Sequence, residues 1–195
     1  DPVELSMSYE RQGADELVML DVSATPEGRG NALVTVAAVR QELGIPLTVG
    51  GGVRKAEDAG ALLEAGADKV AANTAAVERP ELLTEIAERF GSQCAIVAID
   101  AARRPDGAGW EVVTLSGKNR TGIDALAWAH EVTERGAGEI LLTSWDRDGT
   151  RSGYDTDLLN AVSNAVHVPV IASGGAATPE HLIEALQSGA DAVLA

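Results

Sequence analysis

Pro46-Leu47-Thr48-Val49-Gly50-Gly51-Gly52-Val53 and Pro169-Val170-Ile171-Ala172-Ser173-Gly174-Gly175-Ala176 are two versions of one stretch, 123 residues apart. Each is a short apolar run entered through a proline and left through adjacent glycines. Outward from both, the same offset pairs Glu57 with Glu180, Gly66-Ala67-Asp68 with Gly189-Ala190-Asp191, and Ala38-Val39 with Ala161-Val162. It also pairs Gly13-Ala14 and Glu16 with Gly136-Ala137 and Glu139, without a gap anywhere. Self-similarity at a fixed long period marks a fold assembled from two equal halves.

Apolar runs at 17–21, 46–50, 69–73, 95–100, 111–115, 140–144, 168–172 and 191–195 predict strands. Most show little alternation, as expected of parallel strands covered on both faces. Between them, 57–65, 80–90, 124–135 and 178–188 carry helical spacing and stop at Gly66, Gly91, Gly136 and Gly189. Alternating strands and helices predict an α/β protein, and a duplicated set of about four βα units predicts a (β/α)8 TIM barrel made of two half-barrel repeats. The offset puts the mate of the 95–100 strand before residue 1, and the 191–195 strand has no helix after it. The expectation is therefore a single barrel domain over 1–195 whose first strand and final helix lie outside the chain, about 50 or more residues short of a whole barrel. The run at 111–115 belongs to a hairpin-like insert after the 95–100 strand and is no stave.

The chain has 195 residues, 45% of them hydrophobic, and a net charge of -15. It has no apolar run long enough for a membrane span, and its acidity disfavours nucleic acid, whose phosphates it would repel. Any phosphate must be met locally by backbone N–H groups. The single cysteine, Cys94, starts an apolar run and is expected to be a buried structural thiol. A lone cysteine fits a reducing, cytoplasmic setting.

In barrels, ligands sit at the C-terminal ends of the strands, where helix N-termini present unpaired N–H groups. Gly51-Gly52 and Ser173-Gly174-Gly175 occupy such ends, and glycine lets an anion approach without Cβ interference. One glycine pair alone could simply turn strand into helix. Two placed symmetrically point to a long substrate with a phosphate at each end. Asp100 closes Ala95-Ile96-Val97-Ala98-Ile99 and is a candidate for proton transfer; a loop cap is the alternative. Asp21 ends its strand similarly, while Asp146, Asp148 and Gly149 lie in a turn-rich segment that could be only a loop. These carboxylates have no histidine beside them, so no metal site is expected. His130, His167 and His181 read as surface or packing residues.

Thr48 through Arg54, Gly66 through Val70, Asn73 through Val77, Phe90 through Gln93, Val97 through Asp100 and Gly136 through Tyr154 together resemble the cyclase-subunit family of imidazole glycerol phosphate synthase. The likeness runs from Asp1 to Ala195, and Leu141 through Thr150 is a highly specific segment of it. The sister phosphoribosyl-formimino isomerase shares the glycine loops but lacks the Asn73-Thr74 run and the Gly153-Tyr154-Asp155 continuation in this form. The resemblance implies a lyase of histidine biosynthesis without cofactor. Ammonia and phosphoribulosyl-formimino aminoimidazole carboxamide ribotide would give imidazole glycerol phosphate and aminoimidazole carboxamide ribotide. It implies that Asp100 is one of two catalytic aspartates, the other lying upstream of residue 1. Gly52, Asn73 and Thr74 would contact one phosphate, Ser173 and Gly175 the other, with Gly51 and Gly174 in the same loops. Thr143, Asp148 and Gly149 would line the substrate path. It further implies a heterodimer in which a glutaminase subunit delivers ammonia past a gate containing Glu16, Lys69 and Glu139. The alternatives are the isomerase itself, or a non-catalytic phosphate-binding barrel fragment.

Overall fold

The computed structural model describes residues 1–21 and 33–195, which fall into two compact units, Asp1–Ala95 and Ile96–Ala195. The fold class is α/β of the (β/α)8-barrel type, as the duplicated pattern predicts. The first unit runs α1 (Pro2–Arg11), β1 (Leu17–Leu20), α2 (Leu33–Glu42), β2 (Leu47–Gly50), α3 (Ala56–Glu64), β3 (Lys69–Ala72), α4 (Thr74–Glu78) and α5 (Glu81–Phe90). β4 (Ala95–Arg103) carries the chain into the second unit, followed by β5 (Trp110–Thr114), β6 (Asn119–Asp124), α6 (Ala125–Glu134) and β7 (Glu139–Ser144). The second unit closes with α7 (Thr156–Ser163), β8 (Val170–Ser173), α8 (Pro179–Gln187) and β9 (Ala192–Val193).

Each unit shows why its sequence repeats. In the first, β1 pairs parallel to β2 with Leu17 opposite Leu47 and Leu20 opposite Gly50, and β2 to β3 with Val49 opposite Val70. In the second, β7 pairs with β8 with Ile140 opposite Val170 and Thr143 opposite Ser173, and β8 with β9 with Ala172 opposite Val193. Every one of these pairs in the second unit is its first-unit counterpart shifted by the sequence offset. α1 and α6, and α3 and α8, coincide to the residue under the same shift.

The Gly-Ala-Asp motif explains itself physically. Gly66 takes φ +110 and its N–H donates to the Leu63 carbonyl, while Ala67 N–H donates to Leu62, so the end of α3 loses its orphan carbonyls to a left-handed turn. Asp68 then joins the edge of β2: its Oδ2 accepts the Leu47 N–H at 2.8 Å and its own N–H donates to the Leu47 carbonyl at 2.8 Å. Asp191 does the same to Val170, at 2.9 Å in both directions, after Gly189 has ended α8. One tripeptide thus stops a helix and sets the register of a strand.

The cores are aliphatic. Val36, Leu47, Leu62, Leu82 and Ile86 are fully buried in the first unit, and Ile96, Ile99, Ile140, Leu142 and Leu158 in the second. At about 1.5–3 kcal/mol for each fully buried side chain, such residues supply the main driving force of each unit. The insert after β4 is the expected hairpin: β5 runs antiparallel to β4, with Val113 opposite Asp100, and β6 runs antiparallel to β5. β6 itself was not predicted, because Asn119-Arg120-Thr121-Gly122 is polar and carries no apolar signal. Cys94 departs from expectation. It lies in the short turn before β4 and is only partly buried.

Candidate functional site

In the second unit, parallel register brings three predicted residues into one row. Asp100 stands opposite Thr143, and Thr143 opposite Ser173, on β4, β7 and β8. Residues in register on neighbouring parallel strands put their side chains on the same face of the sheet. All three are partly buried. The row is therefore a carboxylate with two hydroxyls in line beside it, near the C-terminal ends of β7 and β8 and three residues before the end of β4. A carboxylate so placed can transfer a proton while the hydroxyls hold substrate oxygens.

Gly174 and Gly175 follow Ser173 with φ of +90 and +102. A Cβ on Gly174 would stand 2.8 Å from the Ser144 carbonyl, and one on Gly175 would overlap the Gly153 carbonyl. In the first unit, Gly51 and Gly52 have φ of +100 and +71, and a Cβ on Gly51 would overlap the Asp21 carbonyl. The sequence reading assigned the missing side chains to anion approach. At Gly51, Gly174 and Gly175 a Cβ would meet neighbouring backbone, so these glycines also let strand ends and loops close. Gly51-Gly52 leaves β2 beside β3, where Gly50 is opposite Ala71, and β3 leads directly into Asn73 and Thr74 at the start of α4. Each unit thus presents a glycine loop next to a following strand end.

Asp148 and Gly149 lie exposed in the segment after β7, Asp148 N–H donating to the Ser144 carbonyl at 2.9 Å. Asp146 is part of the loop scaffold, since its Oδ2 accepts the Arg103 N–H at 2.7 Å. Among the residues expected to form a gate, Lys69 Nζ meets both Glu16 oxygens at 3.1 and 3.0 Å at the starts of β3 and β1. Glu139 opens β7 in the second unit.

The sequence did not announce the contacts of Trp110 and Tyr154. Trp110 donates its Nε1–H to Asp155 Oδ2 at 3.2 Å, and the Arg103 guanidinium stacks 4.3 Å above its ring. Tyr154 donates its hydroxyl to the Leu194 carbonyl at 2.7 Å, and burial pushes its phenol pKa up. His181 sits in the first turn of α8 with its ring against Gly153, a packing role as expected, though beside the glycine loop. Trp110 and Tyr154 stand out in a chain with only 3% aromatic residues, which was the one available signal.

The family model described as histidine biosynthesis protein matches residues 1–195. The chain belongs to that family. It is similar to proteins named imidazole glycerol phosphate synthase subunit HisF. The one from Nocardia farcinica is 56% identical over 200 residues, covering 100% of this chain and 78% of the relative. That from Caulobacter vibrioides (strain NA1000 / CB15N) is 58% identical over 196 residues, covering 100% and 75%. That from Wolinella succinogenes is 56% identical over 195 residues, covering 100% and 77%. Within the family the chain groups with the cyclase subunits, lyases of histidine biosynthesis, and these relatives carry the word subunit in their names. Among the described residues, no helix is long and apolar enough to cross a membrane.

Proposed function

We propose that this cyclase takes ammonia and phosphoribulosyl-formimino aminoimidazole carboxamide ribotide to imidazole glycerol phosphate and aminoimidazole carboxamide ribotide, with Asp100 as an acid–base group. Closing an imidazole ring onto ammonia and releasing the ribotide requires proton transfers to and from nitrogen and oxygen. A carboxylate at a strand end can relay these protons. The observation that carries this reading is the row of Asp100, Thr143 and Ser173 across β4, β7 and β8. Thr143 and Ser173 orient substrate oxygens around the carboxylate, and Asp148 with Gly149 borders the path.

Two phosphate sites, one per unit, match a substrate with two phosphates. Gly51, Gly52, Asn73 and Thr74 make the first, and Ser173, Gly174 and Gly175 the second. Backbone N–H groups supply the affinity, which suits a chain whose net charge is -15. No cofactor enters the reaction. At the strand starts of the first unit, the Glu16–Lys69 ion pair belongs to a gate for ammonia delivered by a glutaminase subunit in the cytoplasm. Lys69 is 17% exposed and Glu16 42%.

The test is Asp100→Asn in the full-length enzyme supplied with ammonia. The amide keeps the shape and removes the titratable group, so turnover falls by about 10²–10⁴-fold with the circular dichroism of the parent intact. Turnover within a factor of two of the parent would remove Asp100 from the chemistry.

A further inference from the structure

Three consecutive residues after β7 each reach a different element of the second unit. Gly153 N–H donates to the Gly175 carbonyl at 2.9 Å, Tyr154 hydroxyl to the Leu194 carbonyl at 2.7 Å, and Asp155 Oδ2 accepts from Trp110 Nε1 at 3.2 Å. Asp155 also caps α7 through the Leu158 N–H at 3.1 Å. The two carbonyls that Gly153 and Tyr154 engage belong to the glycine loop after β8 and to the end of β9. The first is the loop assigned above to the second phosphate, and the second is the strand end paired beside it, where Ala172 stands opposite Val193.

A peptide unit is planar, so fixing a carbonyl fixes the direction of the N–H across the same bond. Held by Gly153, the Gly175 carbonyl sets the N–H of Ala176; held by Tyr154, the Leu194 carbonyl sets the N–H of Ala195. The Gly153 contact is backbone to backbone and tolerates no side chain, since a Cβ on Gly175 would overlap the Gly153 carbonyl. Gly153 itself has φ +89. The Tyr154 contact is the one arm made by a side chain that can be removed singly, and Tyr154 is 5% exposed, so its hydroxyl is held by packing.

We propose that Tyr154 is a positioning residue for the second phosphate: its hydroxyl holds the end of β9 in the orientation that presents N–H groups to the ligand, in step with the Gly153 hold on the β8–α8 loop. The inference rests on the assignment of that phosphate site. It predicts that Tyr154 acts on substrate binding and leaves the acid–base step at Asp100 alone, because its hydroxyl is spent on the Leu194 carbonyl.

The experiment is Tyr154→Phe in the full-length enzyme with ammonia as nitrogen donor. Losing one hydrogen bond raises KM for the ribotide substrate by about 2- to 12-fold while kcat stays within about twofold. Hydrogen exchange of the substrate-free protein should quicken at 174–176 and 193–195 and stay unchanged in α6. A parental KM, a fall in kcat at constant KM, or unchanged exchange at both segments overturns the proposal. So does loss of the parental circular dichroism, which would assign the hydroxyl to folding. An inactive parent enzyme would count against the cyclase reading, whereas an active parent with an indifferent Tyr154→Phe variant counts against Tyr154 alone.

Discussion

The first unit, with β1, β2 and β3, and the second, with β7, β8 and β9, use one backbone plan for different chemistry. Helix stops, strand registers and the aspartate clamp repeat residue for residue. The last paired row does not. In the second unit it is Thr143 opposite Ser173, extended by Asp100; at the places of Thr143 and Ser173 the first unit has Leu20 opposite Gly50. Polar side chains at strand ends face one half of the duplicated frame and aliphatic ones the other. The frame is fixed by turn and register residues, which tolerate little change. The row is free to diverge, because its side chains, unlike the turn and clamp residues, set neither a helix stop nor a strand register.

The largest effect expected from testing this shared frame comes from the first glycine of each loop. Gly51→Ala and Gly174→Ala both force a Cβ onto φ near +100 and +90, where only glycine is comfortable. The alanine at 51 overlaps the Asp21 carbonyl, while at 174 it meets the Ser144 carbonyl at 2.8 Å. Urea titration should show a loss of about 3 kcal/mol for Gly51→Ala and about 2 kcal/mol for Gly174→Ala. Equal and negligible losses would mean that the glycines serve the ligand and not the closure of the strand ends.

A smaller effect separates the two aspartate clamps. Removing either carboxylate leaves a strand N–H without its partner, at a cost of about 1–3 kcal/mol. Asp68 has an additional partner in Arg40, 3.1 Å away, and that guanidinium also bonds the Ile45 carbonyl. The corresponding place in the second unit is Ser163, packed against Gly189. Asp68→Ala should therefore cost more than Asp191→Ala by up to about 1 kcal/mol, since the ion pair is half exposed. Repeating the titration in 1 M salt should narrow the gap, because screening weakens the pair and leaves the clamp hydrogen bonds in place. A gap that does not respond to salt would assign it to packing.

The offset between the halves, the eight strand runs and the glycine stops were legible because they depend on local signals: apolar runs, helical spacing and residues that accept positive φ. Thr143 and Ser173 were legible near strand ends; Asp100 reads as one too, but β4 runs on to Arg103 because its last residues pair with the β5 hairpin. Their alignment in one row follows from register, which the repeat implied but did not spell out. What escaped depends on contacts between segments far apart in the chain. Trp110 and Asp155 are 45 residues apart and Tyr154 and Leu194 are 40. No periodicity marks such pairs. The double use of Gly51 and Gly174 escaped for the same reason, since a glycine beside a possible anion site and a glycine under a neighbouring carbonyl look alike in sequence.

The smallest effect concerns pH and contrasts an ion pair in each unit. In the first, Glu57 and Arg89 lie 3.0 Å apart and are mostly exposed. A backbone hydrogen bond and then Arg89 lower the Glu57 pKa. In the second, Glu111 is buried in the β5–β6 hairpin and bonded to Arg120. The hydrogen bond from Arg120 holds its carboxyl below the ordinary value of 4.5, with burial opposing and the Gly122 N–H assisting. A carboxyl whose pKa is lowered by folding stabilises the native state fully above its unfolded value. That contribution is lost as pH falls through the lower, folded value, because the unfolded chain takes up the proton first. The stability difference between the parent and Glu111→Gln should thus hold steady from pH 7 to about 5 and shrink below about 4.5. Glu57→Gln should show a weaker version of the same limb, as solvent screens an exposed pair. Identical acid limbs in the two variants would mean that burying Glu111 in the hairpin adds nothing to what an exposed pair already provides.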